Sequence, residues 1–288
     1  MPGMPWPLPW PFDTTYMQLA LIAGVAVGAS APLIGTFLVQ KRLSLFGDGI
    51  GHVAVAGVGA GLLFGTSPTW TALVVAVVAA LALEWLRSRG RTSGDLALAL
   101  FFYGGIAAGV VLAGRSTTNT NLQPYLFGSI LTVTEGDVYT IVALGALIIA
   151  SIVLTRRALL AVVLDEDASR VAGIPVGALN ALLAALTAVT VASAMRVTGV
   201  LLIAALMVLP VATSRVAARS FRATTVGAAV VGVVAVVVGL AAARQWALAA
   251  GGAIVLVTLA LFAAASIAAP LRKSRAPDDA ASLLSGPG

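Results

Sequence analysis

Nine long apolar runs, joined by short polar connections, limit what this chain can fold into more than any other feature. Stretches of about 17 to 25 predominantly apolar residues are long enough to cross a bilayer. They fall at Tyr16–Val39, Leu43–Gly65, Thr69–Leu86, Leu96–Gly114, Val138–Leu154, Val176–Ala194, Gly199–Ser214, Thr224–Ala242 and Trp246–Ala268. Hydrocarbon offers no water to backbone N–H and C=O groups, so runs of this length must fold as helices that satisfy themselves. The expected fold class is all-α: a polytopic integral membrane protein with eight or nine transmembrane helices, eight if one run is re-entrant. Only 10% of the 288 residues are charged, against about 25% in a soluble domain.

The charges that remain carry topology. An outer N-terminus puts fourteen of the seventeen Lys and Arg residues in the cytoplasm, among them Lys41, Arg42, Arg87, Arg156, Arg170 and Arg215, and leaves Arg115, Arg196 and Arg244 outside. That asymmetry is the positive-inside signature. It predicts a multi-pass protein of the cell membrane with a cytoplasmic C-terminus. It also explains the net charge of +6 without a nucleic-acid partner. Residues 1–15 lack the pattern of a cleavable signal peptide, and their Pro and Trp content predicts a segment lying at the membrane interface. Residues 16–269 form the membrane domain, and 270–288, polar and rich in Pro, Ser, Ala and Gly, read as a disordered tail.

Asp48 and His52 stand out inside the second run, for His52 is the one histidine of the chain. A spacing of four places both side chains on one helical face. Ionisable groups inside a membrane are expensive and usually face a bundle interior or a water-filled path. Carboxylate plus imidazole suits zinc, manganese or iron(II). The alternatives are a structural Asp–His hydrogen bond and a proton relay of the kind an ion-coupled secondary transporter uses. There is no cysteine, so thiolate metal sites, disulfides and thiol nucleophiles are excluded.

Three further features take a functional and a plain reading. Residues 156–175 form the longest polar cytoplasmic connection, in which Asp165-Glu166-Asp167 opens a short helix that Gly173-Ile174-Pro175 closes; it is a handle for a soluble partner or a capped turn. Pro210, within the seventh run, is a hinge or a packing kink. Glu84 is expected to pair locally with Arg87 or Arg89 near the inner boundary. No Gly-x-x-x-x-Gly-Lys-Ser/Thr loop occurs, so the chain has no ATPase motif of its own.

Four blocks together resemble the permease subunits of ABC transporters that import zinc, manganese or iron, the ABC-3 family. They are Lys41–Gly59 (a basic pair, then Leu-Ser-x-x-Gly-Asp-x-x-x-His), Pro124–Asp137 (Tyr-Leu-Phe-Gly-Ser-x-Leu-x-Val-Thr), Asp165–Pro175, and Met195–Arg219 (Arg-Val-x-Gly-x-Leu-Leu, then Leu-Pro-Val-Ala-Thr-Ser-Arg). The resemblance implies an importer permease architecture, a homodimeric pore and no permanently bound cofactor, the divalent metal being cargo. It further implies a metal site at Asp48 and His52 and an extracytoplasmic metal-binding protein as partner. Hydrolysis would belong to a cytoplasmic ABC ATPase subunit coupled through Asp165, Glu166, Ser169, Val171, Gly173 and Ile174. One turn departs from the family: Ala243–Gly252 lacks its usual Asp-x-Pro-x-Gly form.

Overall fold

The computed structural model describes residues 9–89, 94–115 and 123–273. These residues form eleven α-helices and no strand: α1 Thr15–Gln40, α2 Phe46–Leu63, α3 Pro68–Ser88, α4 Gly94–Gly114, α5 Gln123–Phe127, α6 Glu135–Leu164, α7 Glu166–Val171, α8 Val176–Ala194, α9 Val200–Ala217, α10 Phe221–Gln245 and α11 Ala250–Lys273. Eight are long and apolar enough to cross a membrane. α9 is apolar but shorter, and it runs between the two ends of the bundle. It starts beside the Arg196–Asp137 ion pair at one end of the bundle and leads into Phe221, whose ring packs on Phe37 near the opposite end.

Two helices organise the packing. α1 lies against α6, α8, α9 and α10, while α2 lies against α3, α4, α8 and α9. Their contact faces supply much of the interior, including Met17, Ile34, Phe37, Ile50 and Val58, which meet Leu206 and Met207 of α9 in one continuous core. Small residues let the backbones approach closely, which is how membrane helices gain packing when lipid is as apolar as leucine.

Polar pairs close the bundle at both ends. At one end the Arg196 guanidinium donates to Asp137 at 2.8 Å, and Arg244 pairs with Asp13 at 2.8 Å. Asp137 is also the N3 residue of a capping box with Thr134 that starts α6, so one carboxylate satisfies a helix start and a neighbouring cation together. At the other end Lys41 pairs with Glu166 and Arg87 with Glu84. The Glu84–Arg87 pair is two-pronged, at 2.9 and 3.0 Å, as its spacing of three suggests.

Near the first of these ends the chain folds back on itself at Gly128 (φ +74°) and Gly199 (φ +81°). A Cβ on Gly128 would strike the Val197 carbonyl, and one on Gly199 would strike the carbonyl of Leu126. This contact holds the short helix α5 against the start of α9.

Several boundaries differ from the sequence expectation. α6 does not stop at Leu154 but runs on to Leu164, past the exposed Arg156 and Arg157, because Leu159 and Val162 continue its buried stripe. The connection expected at 156–175 therefore narrows to Asp165–Pro175, enclosing α7. α11 begins at Ala250 rather than Trp246, since Trp246 still caps α10. α9 passes through Pro210 without ending. Most of the N-terminal segment and the tail beyond Lys273 lie outside the described residues.

Candidate metal path

α1 ends in a tight reversal in which the Lys41 and Leu43 amides donate back to the carbonyls of Phe37 and Leu38. Arg42 sits there at φ 60°, and α2 starts four residues on, at Phe46. Asp48 thus falls in the first turn of α2, where the helix dipole favours a carboxylate. His52 follows one turn later on the same face. Its Nε2 lies 3.7 Å from Asp48 Oδ1, longer than a hydrogen bond. The two groups face one another without closing on each other, which leaves room for a shared cation.

The imidazole is held by α4. His52 is 8% exposed, and its ring meets Phe102 edge-on with ring centres 4.0 Å apart. That contact depends on Gly105, where a Cβ would come within 2.6 Å of the Val53 amide nitrogen. A Cβ on Gly109, one turn later, would come within 2.8 Å of the Val55 side chain and 3.1 Å of the Ala56 amide nitrogen. The Gly105-x-x-x-Gly109 spacing is the small-residue signal for such an approach, a signal not singled out from the sequence.

Asp48 opens into a cavity of about 220 Å³ lined by Leu45 and by Leu98, Ala99, Phe102 and Tyr103 of α4. Leu45 and Tyr103 are exposed, so the mouth lies on the flank of the bundle and not on an axis through it. Among the described residues no cluster of three or more Asp, Glu, His or Cys side chains forms. Asp48 and His52 thus offer a cation at most two such side chains from this chain's described residues.

The second group of expected site residues gathers around α7, away from this pair. Asp165 caps α7, its Oδ1 accepting from the amides of Asp167 and Ala168 at 3.0 and 2.9 Å. Glu166 turns inward to accept from Lys41 Nζ at 2.6 Å. Ser169 is buried, Ile174 is half-buried against the core, and Val171 projects outward at 92% exposure. Gly173, at φ +77° with open space around it, ends the helix. Burial by itself raises the Glu166 carboxyl, but the Lys41 ammonium and the Asn180 amide more than offset this and hold it below the ordinary glutamate range. Pro210 is buried inside α9 and belongs to neither group.

The sequence did not point to the partners of Lys41. Its side chain is only 6% exposed and also donates to Asn180 Oδ1 at 2.5 Å. No local pattern joins residues so far apart in the chain.

Comparison with known proteins places this arrangement. The manganese transport system membrane protein MntC of Halalkalibacterium halodurans is 30% identical over 257 residues, covering 89% of this chain and 88% of that one. The manganese import system permease protein ScaB of Streptococcus parasanguinis is 29% identical, with 90% and 92% covered. Among solved structures, PsaBC from Streptococcus pneumoniae in complex with Fab superposes with a TM-score of 0.80 at 29% identity, covering 88% of this chain and 91% of that one. The family profile spans residues 13–269, nearly every described helix and both polar groups, and on that match the chain belongs to the ABC 3 transport family.

Proposed function

We propose that the chain is the pore subunit of an ATP-driven importer of a divalent transition metal, manganese foremost with zinc and iron(II) as lesser candidates, and that two copies form the pore. The observation that carries this is the position of the Asp48/His52 pair. It opens on the flank of the bundle beside α4, with half a ligand set, as a path between two copies requires. Manganese comes first because the curated relatives named above are manganese permeases and because carboxylate and water oxygens suit that ion. Asp48 and His52 take the metal transiently as it passes. Family membership does not favour the proton-coupled secondary transporter.

In this reading the end that bears Lys41, α7 and the C-terminus of α11 faces the cytoplasm. The exposed Val171 and the turn at Gly173 present α7 to an ATPase subunit, which supplies hydrolysis, and an extracytoplasmic metal-binding protein delivers the ion at the Arg196 end. Orientation is tested by single-cysteine labelling, clean here because the chain has no cysteine. A reagent confined to the outside should modify a cysteine at Thr66 and not one at Ser88; the reverse pattern inverts the topology. The metal role is tested by uptake of manganese into cells making the complete complex. Asp48→Asn keeps the side-chain shape, removes the charge and should abolish uptake at normal membrane levels; uptake at the wild-type rate would remove Asp48 from the path.

A further inference from the structure

We propose that Lys41, Glu166 and Asn180 form the link through which movement of α7 reaches α2, making Lys41 a positioning residue for transport. The inference rests on the reading of α7 as the ATPase docking helix.

The three side chains come from three elements: the end of α1, the first residue of α7 and the second turn of α8. Lys41 Nζ donates to Glu166 Oε1 at 2.6 Å and to Asn180 Oδ1 at 2.5 Å, while Asn180 Nδ2 donates to the same Glu166 oxygen at 3.2 Å. Each member therefore touches the other two. Arg170 of α7 stands 4.0 Å from the second Glu166 oxygen, and Arg87 of α3 adds its field. The backbone of α7 packs on α6 and α8, so Lys41 reaches it by its side chain. A buried cation with so specific a pair of acceptors fixes register between elements, the best-attested use of buried ionic groups.

The turn that follows Lys41 is stiff. Backbone hydrogen bonds run Lys41 to Phe37, Arg42 to Val39, Leu43 to Leu38, Phe46 to Leu43 and Gly49 to Leu45, which tie the turn back to α1 on one side and into the start of α2 on the other. A pull on Lys41 is passed into the first turn of α2 rather than absorbed. There Leu45 and Asp48 form one wall of the cavity whose other wall is α4, so a small shift of α2 opens or closes access to the pair.

The test uses the complete complex in proteoliposomes with manganese as the transported ion. For Lys41→Met we expect the ATPase subunit to remain bound and ATP hydrolysis to continue, while manganese imported per ATP falls about tenfold, within the range of coupling energies. Lys41→Arg should retain most of the coupling, and the exchanged pair Lys41→Glu with Glu166→Lys should recover a large part of what Lys41→Met loses. Manganese retained by the detergent-purified permease should stay at the wild-type level, which separates a link from a ligand. Unchanged manganese per ATP in Lys41→Met overturns the proposal, and so does loss of manganese retention. If Lys41→Met does not accumulate, Asn180→Leu carries the same test, with unchanged coupling again overturning it. Val171→Asp separates the link from the docking reading beneath it. If that variant keeps the ATPase bound, the docking assignment fails whatever Lys41 does; if it releases the ATPase while Lys41→Met couples normally, only the link fails.

Discussion

α2 and α11 are built from the same small palette of Gly, Ala, Val, Ile and Leu, yet 83% of the α2 span is buried and only 17% of the α11 span. The buried helix is the less apolar of the two, and among the eight long helices it is the least apolar of all. A water-soluble domain would show the opposite order. Lipid is as good a solvent for leucine as a protein interior, so apolarity gives no reason to be inside. What drives a helix to the centre is what lipid cannot satisfy: Asp48, His52, and the bare backbone that glycine exposes. α11 turns Leu256, Leu259 and Ile267 outward and buries the hydroxyl of Thr258 on its own Ile254 carbonyl.

The largest effects should come from polar groups on α2 and the smallest from a polar group on α11. On the proposed reading Asp48→Asn and His52→Ala are expected to reduce manganese uptake to background while insertion and helix content stay normal, since each would remove half of the ligand pair. Thr258→Val, at a fully buried position and almost isosteric, loses one hydrogen bond within its own helix. Such bonds contribute only about 0.6 kcal/mol on average in membrane proteins, so uptake should be unchanged. Equal losses in Thr258→Val and Asp48→Asn, measured side by side, would mean that polar groups in this bundle act through folding and not through the ion.

A second pair sharpens the contrast within one helix. Gly105 rests on the α2 backbone beside His52, whereas a Cβ on Gly104, its neighbour, would meet nothing within 4 Å. Gly105→Leu must push α4 off α2 and with it the Phe102 ring off the imidazole. Overpacking of this kind costs about 1–3 kcal/mol, and uptake should fall further than stability because the cavity is remade. Gly104→Leu adds a side chain to a surface already apolar and should melt and transport as the wild type does. If the two melt alike, the close approach of α4 is not what holds His52.

How far the sequence reached follows the same division. The membrane helices were legible because each is a long apolar run, and the Asp48/His52 pair because an ionisable group inside such a run has few innocent explanations. α6 was read ten residues short because a boundary set by charge stops at Arg156, whereas the helix is held by Leu159 and Val162 beneath long side chains that reach back to water. The ring of Lys41, Glu166 and Asn180 was not legible. Lys41 and Glu166 lie 125 positions apart, and each looks like an ordinary interfacial charge until the fold buries them together.

The ends of the bundle extend the comparison, since there polarity is paired rather than exposed. Arg196 and Asp137 are mostly covered, at 19% and 14% side-chain exposure, and Arg196 also lies 5.5 Å from the centre of the Tyr125 ring. Removing one partner of a buried pair strands the other and costs about 3–5 kcal/mol; with this residual exposure Arg196→Met should fall at the low end of that range. A thermal melt of the purified permease checks it. Destabilisation should coincide with loss of α5 packing, visible as faster proteolysis near Tyr125. A neutral result would mean that the capping box alone orders this end.

Glu166 gives a smaller stability effect than Arg196, and its sign can be worked out in advance. Its carboxyl is held below the ordinary glutamate value of 4.5 in the folded protein, so the folded state binds that proton less readily than the unfolded chain does. Stability from this group is therefore fully present above the ordinary value and is lost as pH falls through the lower folded one. Glu166→Gln keeps the side-chain shape and removes the charge. The purified wild type should melt above this variant at neutral pH, and the gap should shrink in the acid range below 4.5, where the wild-type carboxylate also becomes neutral. Because the group is 34% exposed, solvent screens it, and the gap should be smaller than that produced by Arg196→Met. A gap that stays constant across that acid range would show that Glu166 acts through packing, and that Lys41 is held by Asn180 without help from its charge.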